Sequence, residues 1–194
     1  MLKLTYPSKD IHTVEEYYAC MEKEMKAGKL PSEAEYCFWE FMEGTKSMYE
    51  AILDICCHHD IAEVHDIGCS TAPQAVMFAN EEIFYVGIES LEYTKEFVPR
   101  GEYLYYLFKE YPNKHIPLIS KRWRQSAAIS SLCVGYLCKG EEVWRCMHGC
   151  HEYFIGHVPK DEHEFMLKYY EIVEEYPFEK ETTILFCKRR NEDG

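Results

Sequence analysis

Small residues interrupt the chain directly after a short apolar run that ends near Asp66. The segment AEVHDIGCSTAPQAV, residues 62–76, places Gly68, Ser70 and Ala72 at alternate positions, just where a buried strand should stop. Small side chains allow backbone N–H groups and the N-terminus of a following helix to approach a polar ligand group closely. A plain turn explains the same residues, so a second feature is needed to predict a binding loop.

An acidic residue supplies that second feature. The segment IFYVGIE, residues 83–89, is β-branched and aromatic and predicts a second strand that ends at Glu89. Glu89 follows Gly68 at close to the spacing of about 20 residues that nucleoside-binding folds use. A carboxylate in this place can accept hydrogen bonds from both ribose hydroxyls. Strand, loop, helix, strand and acid, in that order, predict a nucleoside site at the carboxyl edge of a sheet.

The rest of the chain supplies the elements that position this site. Residues 13–16 (TVEE) form a capping-box pattern, and two amphipathic helices precede the first strand. Strands then alternate with helices, which predicts an α/β fold with a mainly parallel sheet sandwiched by helices. Residues 1–60 are expected to be an N-terminal helical extension, and residues 61–194 the sheet domain. The predicted strands are 64–67, 83–89, 115–120, 129–138, 153–158 and 182–188. Helices are predicted over 73–80 and 160–175, and a helical stretch broken near residues 99–101 is predicted over 91–110.

Charge and cysteine usage restrict the class of protein. The net charge of −13 is a poor match to duplex nucleic acid or to an anionic membrane surface. The basic cluster KRWR, residues 121–124, is too small to reverse that charge. No apolar run reaches the length of a membrane helix, and the N-terminus carries no apolar signal segment. We therefore expect a cytoplasmic protein whose ten cysteines are reduced thiols.

Two segments resemble a known family. HDIGCSTA, residues 65–72, is similar to the first motif of the class I S-adenosylmethionine-dependent methyltransferases, an acidic residue followed by G-x-G-x-G. YVGIES, residues 85–90, resembles the strand-two segment of that family, which ends in the ribose acid. The resemblance implies a Rossmann-like fold and S-adenosylmethionine as cofactor. It places Glu89 on the ribose hydroxyls, and the methionine moiety and ribose against the cofactor-binding residues Asp66, Gly68, Cys69, Ser70 and Ala72.

The sequence departs from the family pattern at several positions. Ser70 and Ala72 replace glycines and add side-chain atoms where the cofactor would pass, which predicts a weakened fit. The acid that often follows strand three is absent from residues 120–123 (SKRW). GYLC, residues 135–138, stands where DNA amino-methyltransferases carry Asp/Asn-Pro-Pro-aromatic, which argues against nucleobase methylation. A single strand is evident after the last helix, so an abbreviated sheet is expected.

Several functions remain open from the sequence. The first is a methyltransferase acting on a small-molecule or protein acceptor, and the second is a methyltransferase-like fold without turnover that binds a nucleoside or a partner protein. A zinc-stabilised interaction module is the third, based on the cysteine and histidine clusters at residues 56–60 and 146–151. Neither cluster by itself has two spaced ligand pairs, although each could provide one pair to a shared site; no metal is expected. An NAD-linked oxidoreductase fits less well, because the G-x-G-x-x-G spacing is missing.

The catalytic base cannot be assigned from the sequence. His148, His151 and His157 are expected on or near the ligand edge, although core or surface histidines are the more ordinary interpretation of each. A sulfonium methyl group is already activated, so catalysis depends chiefly on placing the acceptor in line. The sequence leaves the acceptor and the oligomeric state open.

Overall fold

The described part of the chain forms a single mixed sheet of seven strands. The computed structural model describes residues 13–28, 44–89, 104–107, 125–131, 133–135, 138–179 and 181–191. Its strands are β1 (Glu63–Ile67), β2 (Phe84–Glu89), β3 (Leu104–Leu107), β4 (Ser126–Ser130), β5 (Tyr153–Gly156), β6 (Tyr170–Glu179) and β7 (Thr182–Arg189). Its helices are α1 (Val14–Lys26), α2 (Lys46–His58), α3 (Ala75–Asn80), α4 (Glu141–Cys150) and α5 (His163–Tyr169), with a 3-10 turn at Lys160–Glu162 before α5.

The strands lie in the order β3-β2-β1-β4-β5-β7-β6, which puts β1 at the centre of the five parallel strands. β1 lies parallel to both β2 and β4, with Asp66 opposite Gly87 on one side and Ile129 on the other. β3 and β5 extend the parallel part outward, and β7 then pairs antiparallel with both β5 and β6. The α/β fold with a mainly parallel sheet is confirmed. β2 and β3 lie on one side of β1, and β4 and β5 lie on the other, so the strand order switches direction between β1 and β4. Open parallel sheets bind ligands at such a switch point.

Two hydrophobic layers flank the sheet. One buried cluster joins α1, α2 and α3 to one face of β1 and β2, through residues such as Tyr17, Ile52, Val64 and Phe78. The other cluster packs α4 and α5 on the opposite face, around Trp144. The N-terminal helices thus bury their apolar stripes against the same core as the central strand. The division of the chain into an extension and a sheet domain stays a prediction.

The N-terminal capping box forms as the sequence predicts. Glu16 N donates to Thr13 Oγ1 at 3.1 Å, and Thr13 N donates to Glu16 Oε2 at 3.3 Å. The reciprocal bonds satisfy two backbone donors that a helix start would otherwise leave to solvent. Of the second predicted helix, the portion over Lys46–His58 is described, and its earlier residues lie outside the described part of the chain.

The predicted helix over residues 160–175 is wrong in its second half. The chain is helical only to Tyr169, and Tyr170–Glu179 is strand β6, which forms an antiparallel hairpin with β7. Glutamate-rich composition suggested a helix, but Ile172, Tyr176 and Phe178 alternate with exposed neighbours, which is the period of a strand. The hairpin also corrects the expectation of an abbreviated sheet.

Two further strands differ from the prediction. Leu104–Leu107 is strand β3, inside the stretch predicted as a helix over 91–110, and the strand predicted over 115–120 lies outside the described residues. β4 spans Ser126–Ser130 and not 129–138. Gly135 has φ of +86°, and an isolated bridge joins Val134 to Cys138, so the chain turns there.

Within the described residues, no helix is long and apolar enough to cross a membrane.

Candidate functional site

The loop after β1 turns three times through left-handed backbone conformations. Gly68, Ser70 and Ala72 have φ of +78°, +54° and +52°. This conformation costs an L-residue about 1 kcal/mol or more, whereas glycine adopts it almost without cost. The geometry therefore explains why a glycine pattern suits this loop. Ser70 and Ala72 adopt the left-handed conformation that glycines would adopt at these positions, at the cost of backbone strain.

Backbone hydrogen bonds tie the loop to the end of β2. Gly68 N and Cys69 N both donate to Ile88 O, at 2.8 and 3.2 Å. Ser70 N donates to Glu89 Oε2 at 2.8 Å. Glu89 is thereby placed against the loop with 7% of its surface exposed. The structure brings the loop and the acid together at one edge of the sheet, as the sequence spacing predicts.

Asp66 lies beneath the loop and is fully buried. Its carboxylate accepts hydrogen bonds from Tyr49 Oη at 2.9 Å, Tyr85 Oη at 2.6 Å and Gln74 Nε2 at 2.6 Å. Gln74 Nε2 also donates to Cys69 O at 3.1 Å, which links the carboxylate to the loop backbone. Asp66 therefore supports the loop from below, and its own oxygens are occupied by protein donors.

Burial raises the pKa of the Asp66 carboxyl to about 6, against an ordinary value of 3.8. The hydrogen bonds from Tyr85, Gln74 and Tyr49 oppose that shift, because they favour the ionised form, and the nearby charge of Glu89 adds to it. The folded protein thus binds more protons at this group than the unfolded chain between about pH 4 and pH 6. The contribution of Asp66 to stability falls as the pH rises through that range.

The side chains of Cys69 and Ala72 point into the protein. Cys69 is 1% exposed and Ala72 is fully buried in the same hydrophobic cluster as Val64. The expectation that the Ala72 methyl group stands where a cofactor passes is therefore wrong. Replacing glycine by alanine at this position strains the backbone but leaves the outer surface of the loop unchanged. Ser70 is partly exposed as a residue, although its hydroxyl oxygen is buried.

The turn after β4 closes the other side of the loop. A Cβ at Gly68 would lie 2.5 Å from Cys133 Sγ and closer still to Cys133 Cβ, so only glycine fits. Ser130 Oγ donates to Ile67 O at 3.3 Å and accepts from Cys133 N and Val134 N. This serine joins the end of β1 to the turn after β4. The two loops at the carboxyl edge are packed as one unit.

The phenol of Tyr85 should stabilise the protein more at neutral than at acidic pH. Tyr85→Phe removes a hydrogen bond to a carboxyl that is ionised above its pKa of about 6. Hydrogen bonds to charged groups contribute roughly 1.5–3 kcal/mol, and neutral ones about 1 kcal/mol. We expect Tyr85→Phe to lower the free energy of unfolding by about 2 kcal/mol at pH 7.5 and about 1 kcal/mol at pH 5. Urea unfolding at the two pH values measures this.

Tyr170→Phe is the matched control for that experiment. Tyr170 is equally buried, but its Oη donates to the backbone carbonyl of His151, a neutral acceptor, at 3.4 Å. The loss in free energy of unfolding caused by Tyr170→Phe should therefore differ little between the two pH values. An equal cost of Tyr85→Phe at pH 5 and pH 7.5 would contradict an ionised Asp66.

Three site residues escaped the sequence analysis: Tyr49, Gln74 and Tyr85. Gln74 stands in the segment PQAV directly after the loop, and its amide near a buried acid was a usable signal. Tyr85 alternates with Gly87 and Glu89 on β2, but the side of the sheet to which each side chain points depends on what packs there. Tyr49 lies on α2, far from the loop in sequence, and no local pattern indicates it.

The three histidines do not share the ligand edge. α4 runs from the turn after β4 back to the amino edge, so His148 and His151 lie at the opposite end of the sheet from the loop. His148 contacts the carbonyl of Arg190, and His151 is fully buried, which lowers its pKa. His157 directly follows β5 at the carboxyl end, where its Nδ1 lies 3.0 Å from Thr183 O. The expectation is therefore wrong for His148 and His151.

Metal ligands do not assemble in the part of the chain that the structure describes. Across those residues, no three His, Cys, Asp or Glu side chains gather in a group that could hold a metal ion. Cys56 is buried in the core and Cys57 is exposed, so these neighbours do not face one site. The zinc hypothesis thus has no described ligand set.

Solved methyltransferases share this architecture. A magnesium protoporphyrin IX methyltransferase from Synechocystis with bound S-adenosylmethionine matches 79% of the chain over 83% of its own, with 12% identity and a TM-score of 0.53. An N-methyltransferase from Bradyrhizobium japonicum matches 76% over 96% of its own chain, with 9% identity and a TM-score of 0.53. A Listeria monocytogenes protein described as a putative S-adenosylmethionine-dependent methyltransferase matches 77% over 100%, with 12% identity and a TM-score of 0.52.

The sequence itself matches no protein-family model and no curated protein. At 9–12% identity, the structural likeness shows the fold. The chain has the Rossmann-like fold of the class I S-adenosylmethionine-dependent methyltransferases.

Proposed function

We propose that the carboxyl edge of β1 and β2 binds S-adenosylmethionine and that the protein transfers the methyl group to a small-molecule or protein acceptor. The observation that carries the proposal is the meeting of the left-handed loop, Gly68–Ala72, with the Glu89 carboxylate at the switch point of this sheet. Structural neighbours of the same fold that are solved with bound S-adenosylmethionine or S-adenosylhomocysteine support the choice of cofactor.

The residues present fit this cofactor. Glu89 offers carboxylate oxygens at the end of β2, where ribose hydroxyls can donate to them. Gly68 and Ser70 are partly exposed, and Cys69 and Ala72 contribute backbone while their side chains fill the core. Asp66 acts through the loop, because Gln74 connects its carboxylate to Cys69 O. We therefore assign Glu89 as the anchor of the ribose and Asp66 as a positioning residue.

Binding and orientation are the protein's part in the chemistry. When bound, the cofactor supplies an activated methyl group on a sulfonium, so an acceptor held in line needs little further assistance. The acidic balance of the chain, −13, opposes a polyanionic acceptor such as duplex nucleic acid and suits a small molecule or a protein side chain. A cytoplasmic location and a reduced thiol state remain part of the proposal.

A second candidate is a protein of the same fold that binds a nucleoside or a partner without turnover. One contact favours it: Glu89 Oε2 already accepts from Ser70 N, so a ribose that uses both carboxylate oxygens has to share Oε2 with the loop. The strain at Ser70 and Ala72 points the same way. Methyl transfer to any acceptor would exclude this candidate.

Calorimetric titration with S-adenosylhomocysteine tests the cofactor assignment. The protein, freed of metal by chelation, should bind S-adenosylhomocysteine with micromolar affinity and should bind NAD at least tenfold more weakly. The glycine that would serve the pyrophosphate of a dinucleotide is missing, which is the reason for the difference. Absence of binding to S-adenosylhomocysteine, or tighter binding of NAD, would overturn the proposal.

A further inference from the structure

Two thiols lie side by side in the turn after β4. Cys133 Sγ and Cys138 Sγ are 3.6 Å apart, within a hydrogen bond of each other, and both side chains are half-buried. The backbone holds them together: Cys138 N donates to Cys133 O at 3.1 Å, and Gly135 N donates to Cys138 O at 2.8 Å. A disulfide joins sulfurs about 2.05 Å apart, so a movement of roughly 1.5 Å would bring these two into bonding distance.

This pair of thiols is in contact with the loop after β1. Cys133 fills the space that a side chain at Gly68 would need. Through Ser130 Oγ, the backbone at Cys133 is also linked to the last carbonyl of β1, Ile67 O. The Gly135 turn is fixed on its other side, because a Cβ at this residue would lie 2.5 Å from Pro159 Cδ. A displacement of Cys133 toward Cys138 is therefore transmitted to Gly68.

We propose that Cys133 and Cys138 form a reversible disulfide in response to peroxide, and that this bond loosens the loop after β1 and weakens cofactor binding. The disulfide and the change in the loop are independent of the proposed function. The effect on cofactor affinity rests on it, because the loop Gly68–Ala72 is the assigned binding loop.

The electrons and atoms of the reaction balance with peroxide as the oxidant. The Cys138 thiolate attacks one peroxide oxygen, an S–O bond forms, the O–O bond breaks, and the departing hydroxide takes a proton to become water. The Cys133 sulfur then attacks the resulting sulfenic acid, forming the S–S bond and releasing a second water. Two thiols are oxidised, and one peroxide is reduced to two waters. A dithiol reductant reverses the change by thiol–disulfide exchange.

The surroundings of the two thiols favour one order of attack. Either sulfur can donate the hydrogen bond that they share; with Cys133 as the donor, the pKa of Cys138 is lowered and that of Cys133 is raised, and the nearby charge of Asp66 adds to the rise at Cys133. The buried cysteines elsewhere differ, because burial raises the pKa of Cys56, Cys69 and Cys187 and keeps them as thiols. Cys138 should therefore react with peroxide first, with Cys133 as the resolving thiol.

Tryptic digestion isolates this pair from the other cysteines. Arg124 and Lys139 bound a peptide of residues 125–139 (QSAAISSLCVGYLCK) whose only cysteines are Cys133 and Cys138. The reduced full chain is treated briefly with hydrogen peroxide, and its free thiols are alkylated. After tryptic digestion, the mass of the peptide is measured by mass spectrometry. We expect the unalkylated peptide, lighter by two hydrogen atoms than the dithiol form, and its return to the alkylated form after dithiothreitol. Recovery of a fully alkylated peptide after peroxide treatment would overturn the proposal.

Two further measurements separate the effect of the Cys133–Cys138 disulfide on the loop from the proposed function. Hydrogen exchange at the amides of Gly68 and Cys69, which donate to Ile88 O in the reduced protein, should become faster on oxidation. The dissociation constant for S-adenosylhomocysteine should rise about tenfold. Cys138→Ser should abolish both changes, whereas Cys57→Ser, at an exposed thiol on α2, should retain them.

Each outcome decides one of the two ideas. A mapped disulfide without faster exchange at Gly68 and Cys69 contradicts the coupling of the thiols to the loop. Faster exchange with unchanged affinity contradicts its effect on the cofactor. If the reduced protein does not bind S-adenosylhomocysteine at all, the proposed function fails, and the disulfide and the exchange rates still decide whether the switch exists.

Discussion

Glu89→Ala should reduce the affinity for S-adenosylhomocysteine about 100-fold, which corresponds to about 3 kcal/mol. The variant removes the carboxylate that we assign to the ribose, and each hydrogen bond to a charged acceptor contributes roughly 1.5–3 kcal/mol. It also removes the acceptor for Ser70 N, which lies 2.8 Å from Glu89 Oε2, so the loop loses one of its attachments to β2. Calorimetry measures the affinity, and urea unfolding measures the accompanying loss of stability.

Glu89→Gln separates the two consequences. Its amide oxygen can still accept from Ser70 N, so the loop stays attached, but one ribose acceptor becomes an N–H donor. We expect its stability to lie within about 1 kcal/mol of the wild type and its affinity to fall about tenfold. If both Glu89 variants bind as tightly as the wild type, Glu89 is not the ribose anchor. If both lose affinity only in proportion to stability, the carboxylate acts through the loop alone.

Of the substitutions that add a single methyl group at this site, Gly68→Ala should destabilise the protein most. The residue has φ of +78°, where an alanine costs about 1–2 kcal/mol. The new Cβ would also lie 2.5 Å from Cys133 Sγ and closer to Cys133 Cβ, and overpacking of this kind costs about 1–3 kcal/mol. We expect the free energy of unfolding to fall by about 3 kcal/mol or more, measured by urea unfolding at pH 7.5.

Gly149→Ala is the matched control for Gly68→Ala. Gly149 lies in helix α4, has no positive φ, and a Cβ there would meet nothing within 4 Å. Alanine is the better helix former, so this change should raise stability by up to about 1 kcal/mol. Cys133→Gly in the Gly68→Ala background should restore part of the loss, since it removes the overlap but leaves the dihedral strain. A Gly68→Ala protein as stable as the wild type would show that the turn after β4 does not pack here.

Helix propensity and strand pairing disagree at the C-terminus, and pairing decides the outcome. Glutamates dominate residues 171–179, which suggested a helix from the sequence. In the folded chain, that segment pairs along its length with β7, and its larger side chains alternate with exposed ones. The edge strand β6 gains its hydrogen bonds from β7, which is itself held by its pairing with β5, and local composition does not report that pairing. The same argument applies to β3, within a stretch that was predicted helical.

The role of Asp66 also needed the tertiary structure. From the sequence, Asp66 belongs to the motif and is expected to face the cofactor. In the fold, Tyr49 from α2 and Tyr85 from β2 enclose it, and its pKa rises to about 6 because it is buried. Which face of β1 is covered depends on where α2 packs, and that is decided by contacts between residues distant in sequence.

By itself, the sequence determined the class of fold and predicted a candidate site. The elements that build the site, from β1 through the loop Gly68–Ala72 to Glu89, are consecutive in the chain, so their spacing carries the geometry directly. Local rules also set the capping box at Thr13 and the turns that need small residues. Only the tertiary structure decided what surrounds the loop: the buried acceptor network of Asp66, the closure of Gly68 by Cys133, and the hairpin that completes the sheet. Tyr49 with Asp66 and Cys133 with Gly68 are contacts between residues far apart in the chain, and the hairpin joins the sheet through the pairing of β7 with β5. The free energy of these contacts exists only once the two hydrophobic layers have closed on the sheet.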